Sequence, residues 1–131
     1  MTDIFGADIP FVRFCGIEPI DCAPGRSHLE VTIEPHHANQ MGVAHGGLLM
    51  TLLDVAMGSA ARLAAGANVI TVDLQTAFLA PAAGRLAGRG RVVRAGKSLL
   101  FVEGEVTDAA GELVARGSSV FKTAAPPKRA P

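Results

Sequence analysis

Asn39-Gln-Met-Gly-Val-Ala-His45-Gly46-Gly47-Leu-Leu-Met-Thr-Leu-Leu-Asp54 is the stretch on which the reading of this chain turns. A loop ends in two glycines, and an apolar run follows that carries one acid in its middle. The run continues to about Ala65, with Leu48, Leu49, Leu52, Leu53, Val55, Ala56 and Ala60 apolar on nearly every side of a helix and Gly66 as a stop signal. Such a helix must be wrapped by other structure. Gly46 and Gly47 weaken a helix start, so their position needs a reason other than stability, and close approach of a ligand to the backbone is one. No Ser, Thr, Asp or Asn stands immediately before them as a side-chain cap. That predicts free first-turn N–H groups at the positive helix end, placed to hold an oxyanion or a carbonyl oxygen. A tight packing corner is the structural alternative.

Upstream of this stretch, residues 35–44 contain Pro, Asn and Gly without periodicity and read as a loop. Residues 16–20 and 27–34 are strand-like, the second alternating Leu29, Val31 and Ile33 with His28, Glu30 and Thr32. Pro24-Gly25 turns between them, which predicts an antiparallel hairpin with one wet face. Residues 4–14 predict a short helix or turn with Pro10 at a first helical position. Downstream, residues 68–79, 85–94, 99–107 and 113–121 read as four strands separated by Gly-containing connections. Short connections predict that these four are antiparallel neighbours in chain order. The Pro-rich tail, residues 124–131, predicts disorder. One domain over residues 1–123, of the α+β class, is the expected organisation.

At 131 residues the chain has room for one core. Twelve basic and twelve acidic side chains cancel, which argues against a nucleic-acid or membrane-surface partner recognised by bulk charge. Cys15 and Cys22, separated by six residues, lack a second Cys/His pair, and His28, His36, His37 and His45 make no ligand set. No metal and no cofactor are predicted. The N-terminus lacks a basic region before an apolar one, and the long apolar run is interrupted by Asp54 and Arg62. A soluble, cytoplasmic protein is the expectation. The chain has neither Trp nor Tyr, is 49% hydrophobic and carries no net charge. Surface buried between subunits, and hence an oligomer, is predicted.

The stretch 39–54 resembles the signature of the hotdog-fold acyl-CoA thioesterases, in particular the PaaI-like subfamily typified by the phenylacetate-pathway thioesterase. The matching positions are Asn39, Gly42, His45, Gly46, Gly47 and Asp54, in order and without gaps, and the similarity covers about residues 5–123. The resemblance implies a curved antiparallel sheet wrapped around the central helix, and hydrolysis of an acyl-CoA to free CoA and a carboxylic acid. It also implies active sites at a homodimer interface, with Asn39 and Gly47 from one chain and Asp54 from the other, and a dimer of dimers. In that pattern the Gly47 N–H holds the oxyanion beside Gly46, Asn39 donates to the carbonyl or orients water, and His45 braces the loop. Asp54 is the base or the nucleophile, and CoA belongs to the substrate.

The residues themselves sharpen this. Asp54 stands among Leu49, Leu52, Leu53, Val55 and Met57, which predicts a desolvated carboxylate with a raised pKa; the alternative is a buried Asp satisfied by backbone or by Arg62. Gly47 and Asp54 share a helix face but lie seven residues, about 10 Å, apart along the axis. One thioester carbon cannot easily touch both, so two helices from two antiparallel subunits are expected. His45 is an alternative general base. Arg91, Arg94, Lys97 and Ser98 surround a Gly-containing turn suited to the CoA phosphates, or form a solvated hairpin tip with Arg89 and Arg91 across from Glu103 and Glu105. Met50, Leu53, Met57 and Phe78 are candidates for the acyl pocket or for plain core. The rival functions are a hotdog enoyl-CoA hydratase or dehydratase, using a catalytic His, and a non-catalytic acyl-CoA-binding module.

Overall fold

The computed structural model describes residues 3–124. The elements in chain order are α1 (Pro10–Phe14), β1 (Glu18–Ala23), β2 (Arg26–Thr32), a 3₁₀ turn (Pro35–His37) and α2 (Gly46–Ala65), followed by β3 (Val69–Phe78), β4 (Arg85–Ala95), β5 (Leu99–Thr107) and β6 (Leu113–Thr123). Pro10 opens α1 as predicted, and Gly66 ends α2 in the left-handed conformation (φ 64°), its N–H donating to the Arg62 carbonyl. Of the predicted tail, residues 125–131 lie outside the described residues. Ala124 belongs to the sheet region instead, its N–H donating to the Asn68 carbonyl at 2.8 Å.

Six antiparallel strands form one sheet in the order β1-β2-β4-β5-β6-β3, curved around α2 in the hotdog arrangement. The expectation that the last four strands are neighbours in chain order holds for β4, β5 and β6 and fails for β3. That strand pairs with β6 at the sheet edge, while β4 joins the N-terminal hairpin through β2. The chain makes this crossing past the start of α2. The Leu79 and Ala80 N–H groups donate to the Val114 carbonyl, the Ala82 carbonyl accepts from Ala44 and the Gly84 carbonyl accepts from Ile33. Six residues, four of them with backbone partners of their own, therefore carry the chain from one edge to the middle, which a length rule cannot foresee.

The inner face of the sheet presses Leu29, Val31, Leu86, Leu100, Val102, Val106, Val114 and Phe121 against Leu48, Leu49, Leu52, Leu53, Ala56, Met57 and Ala60 of α2. The contact is close because glycines line it. A methyl group at Gly88 would come within 2.6 Å of Leu52 Cγ, one at Gly104 within 2.9 Å of Met57 Cγ, and one at Gly90 would overlap the Ala56 carbonyl. The buried Ser27 hydroxyl donates to that same carbonyl. Glycine weakens a strand interior, but here it lets helix backbone rest almost directly on sheet backbone.

Sheet packing covers only part of α2. Gly47, Met50, Thr51, Asp54 and Gly58 form a stripe at helical spacing that is exposed or half-buried, beside the edge strand β3, whose Ile70 and Val72 are more than half exposed. The helix is therefore open along one face rather than wrapped on all sides. That open face carries the acid.

Candidate active site

The loop that delivers the chain to α2 is braced from both ends. The Asn39 Oδ1 accepts from the Met41 N–H at 2.9 Å, and the Ala38–Ala44 bridge closes the loop over Gly42. With its oxygen spent on the loop, Asn39 offers its Nδ2 amide as a donor. The His45 N–H donates to the His37 carbonyl at 2.8 Å, and the His45 carbonyl accepts from Leu48 and Leu49.

The helix start corrects the sequence reading. It does have a side-chain cap: the His45 Nδ1 accepts from the Gly47 N–H at 2.8 Å. Imidazole belongs to no common capping set, but it supplies the same acceptor that Ser or Asp would. With Nδ1 accepting, the neutral ring carries its proton on Nε2. The two glycines find their reasons here as well. A methyl group at Gly47 would sit 3.0 Å from the His45 Nδ1, and one at Gly46 3.3 Å from the Phe78 ring. A side chain at either position would have to push His45 or Phe78 aside. The Gly46 N–H has no partner among the described residues.

Asp54 is half-buried on the open stripe, so the expected enclosure among leucines does not occur within one chain. Leu52, Leu53 and Met57 are fully buried against the sheet, because residues adjacent in a helix sequence project to different sides. Arg62 is not its partner either, since that guanidinium donates to the carbonyls of Ile4 and Phe5, both at 2.8 Å. The partner is Thr71, whose Oγ1 donates to Asp54 Oδ1 at 2.8 Å. An extra residue in β3, Val72, shifts the pairing with β6 between Thr71 and Asp73. The shift lets Thr71 and Leu74, three residues apart, both face α2. Thr71 escaped the sequence reading because nothing in a single strand marks where a bulge will fall.

Two hollows flank Asp54. One, of about 350 Å³, is walled by Ile9, Phe11, Val12, Met50, Val55 and Leu74. The other, of about 310 Å³, runs along the helix past Val55, Gly58 and Ser59 toward Arg62 and Asn68. Of the four acyl-pocket candidates, Met50 lines the first hollow. Leu53 and Met57 are core instead, and Phe78 packs on Gly46. The pocket walls that were missed, Ile9, Phe11 and Val12, lie in and beside α1.

The proposed phosphate cluster divides. Arg91 lies opposite Glu103 and is ion-paired with it, as the solvated-tip alternative expects, and Arg89 stands opposite Glu105. Arg94, Lys97 and Ser98 remain exposed at the β4–β5 tip. That tip lies toward the C-terminal end of α2, since Val92 neighbours Gly25, which in turn lies beside Ala64. A larger concavity of about 650 Å³ opens on the outer sheet face, where Arg91 is ion-paired with Glu103. Beside it Arg85 holds Glu18 and Glu30. Burial pushes the Glu30 carboxyl up, yet the Arg85 hydrogen bond and charge, with His28, hold it below the usual carboxylate range. Among the described residues no group of three or more His, Cys, Asp or Glu side chains is placed to hold a metal.

Comparison with known proteins agrees with this geometry. A profile of the thioesterase superfamily matches residues 41–115, which span both the glycine corner and Asp54. Human acyl-coenzyme A thioesterase 13 is 32% identical over 112 residues, covering 82% of this chain and 80% of its own. A conserved Pseudomonas aeruginosa protein of known structure superposes with a TM-score of 0.86 at 28% identity, covering 89% and 95% of the two chains. The Escherichia coli PaaI protein of the phenylacetic acid degradation operon shares the fold at a TM-score of 0.86 and 21% identity, over 90% of this chain and 86% of its own. The chain belongs to the thioesterase superfamily and is a thioester hydrolase with the hotdog fold.

Proposed function

We propose that this protein is an acyl-CoA thioesterase that releases free CoA and a carboxylic acid from aryl- or medium-chain acyl-CoA in the cytoplasm. Its catalytic unit is a homodimer, and two dimers associate. The observation that carries the reading is the open stripe of α2, where Asp54 and Gly47 lie on one face about 10 Å apart beside an unpaired sheet edge. An antiparallel second copy along that edge would cover exposed Ile70 and Val72. It would also bring Gly47 of the partner subunit toward Asp54. Supporting the substrate class, the human relative at 32% identity is named as an acyl-coenzyme A thioesterase.

In this arrangement Asp54, oriented by the Thr71 hydroxyl, acts on the thioester carbonyl carbon. As a base it takes a proton from water while the oxygen adds to the carbonyl. As a nucleophile it forms an acyl anhydride that water then opens. Either way the C–S bond breaks, the sulfur leaves as thiolate and is protonated, and the water oxygen ends in the carboxylic acid. Gly47 of the partner subunit stabilises the oxyanion. Its N–H already meets a His45 Nδ1, so the carbonyl oxygen shares it in a three-centre bond of the kind common at helix termini. Asn39 contributes its amide, and the exposed Arg94, Lys97 and Ser98 tip serves the CoA phosphates.

Subunit mixing tests the composite site. Asp54→Asn and Gly47→Pro, each inactive and verified to fold, are mixed under conditions of subunit exchange. About a quarter of wild-type activity should return for an equal random mixture, since half the dimers are mixed and each holds one intact site. Exchange without recovered activity shows that both groups act within one chain.

A further inference from the structure

The segment that precedes the sheet lies over Asp54, and its grip on the rest of the molecule is specific. The α1 helix has five residues, too few to hold itself by helical hydrogen bonds. Two pins hold the segment. At its start, a tight turn with N–H to carbonyl bonds between Ile4 and Ala7 in both directions presents the Ile4 and Phe5 carbonyls to a single guanidinium nitrogen of Arg62, on the last turn of α2. At its end, the His37 Nε2 lies 2.7 Å from the Cys15 carbonyl, while the His37 Nδ1 accepts from the Glu34 N–H. These two bonds fix the proton on Nε2. Between the pins Ile9 and Val12 reach over the site.

Both hollows beside Asp54 share the same ceiling. Ile9 and Val12 line each of them, together with Asp54, Val55 and Thr71. A group whose carbonyl carbon reaches the Asp54 carboxylate therefore touches Ile9 and Val12 whichever hollow it enters. Phe11 extends the wall on one side only and is 61% exposed, so that wall has a free outer edge. Each hollow is at the small end of ligand pockets, where one or two methylenes decide fit.

We infer that residues 4–14 form the wall that selects the acyl group of this enzyme, and that Arg62 is the positioning residue that keeps this wall closed over an apolar chain or ring. The inference rests on the thioesterase reading above and names the part of the substrate that the segment reads. Arg62 acts through the segment it holds, so its loss changes which acyl group is accepted.

The test is a ladder of saturated acyl-CoAs from acetyl to dodecanoyl, with benzoyl- and phenylacetyl-CoA, assayed by thiol release. Ile9→Ala enlarges both hollows and should raise the ratio of kcat/KM for long over short chains by at least about tenfold, the scale on which apolar pockets resolve a methylene or two. Arg62→Met keeps the aliphatic stem and removes the donors. It should flatten selectivity along the ladder mainly through KM, and Arg62→Lys should restore part of it. Ratios unchanged within about twofold in both Ile9→Ala and Arg62→Met overturn the inference and leave the hydrolase standing. A second measurement is independent of turnover. The chain has no Trp and no Tyr, so Phe11→Trp introduces a sole indole, whose emission should shift to the blue with the non-hydrolysable thioether S-dodecyl-CoA and stay put with CoA alone. Emission that responds to the alkyl chain in a protein that hydrolyses no thioester keeps the wall and removes the enzymatic reading. Hydrolysis with indifferent emission and altered ratios keeps the wall and places the alkyl chain in the hollow that Phe11 does not line, whereas hydrolysis with both unchanged removes the wall.

Discussion

The two long faces of α2 differ in their residues and in their fates. On the sheet side, Leu52, Leu53, Ala56 and Met57 have no exposed surface and rest on Gly88, Gly90, Gly104 and Gly117. On the other side, Gly47, Thr51, Asp54 and Gly58 stand beside an edge strand and two hollows. Stability is concentrated on the first face, where close packing leaves no room to adjust. Chemistry sits on the second, where a carboxylate, a hydroxyl and helix-end N–H groups stay reachable. A mutation on one face should therefore change folding with little specific effect on turnover, and one on the other should do the reverse.

The strongest challenge to that division is Gly90→Val. Its added carbons would overlap the Ala56 carbonyl, a backbone atom that cannot move aside, and destabilisation of about 3 kcal/mol or more is expected in denaturant melts. A variant as stable as wild type would mean that helix and sheet do not touch at this point. Next comes Asp54→Asn, expected to lower kcat at least about a hundredfold while the melting temperature barely moves. Near-normal turnover by the folded variant would remove Asp54 from the reaction. Thr71→Val deletes the hydroxyl that orients Asp54 and keeps the shape of the side chain. A loss of about tenfold in kcat with KM nearly unchanged is expected, and a pure KM effect would place Thr71 in binding instead. The mildest is Gly58→Ala, a glycine of the same helix on the open side. Alanine raises helix propensity by about 1 kcal/mol but brings a methyl group within 3.2 Å of the Phe121 ring, so stability should stay within about 1 kcal/mol of wild type. A loss as large as at Gly90 would erase the contrast between the faces.

The extent to which sequence anticipated structure follows the range of the interactions involved. The helix limits, Gly46 to Ala65, were legible because propensity, apolar content and a stop glycine act within a turn or two. The β1–β2 and β4–β5–β6 hairpins were legible for the same reason. The place of β3 beyond β6 was not, because strand order is decided by which edges remain free after the helix has packed. At the site, Asp54 and the glycine corner were recognisable as a pattern, yet the roles of Gly46 and Gly47 in packing against Phe78 and His45 were hidden. The first contact joins residues separated by α2 and most of β3, and the second, though only two residues apart, uses a side chain outside the usual capping set. Leu53 and Met57 were offered to a pocket because apolar residues near an acid look alike until the sheet chooses a side.

By itself, then, the sequence determined the single long helix, the alternating strands around it, and the run from Asn39 to Asp54 that carries membership of the thioesterase superfamily, all properties of local period and residue type. Only the tertiary structure decided which stripe of the helix meets the sheet. Glycines 88, 90 and 104, unremarkable within their strands, admit α2 on one side alone. The same packing set Thr71 against Asp54 through a bulge and laid Ile9 and Val12 over the pair, because close contact between backbones distant in sequence depends on volume and geometry that no local pattern encodes.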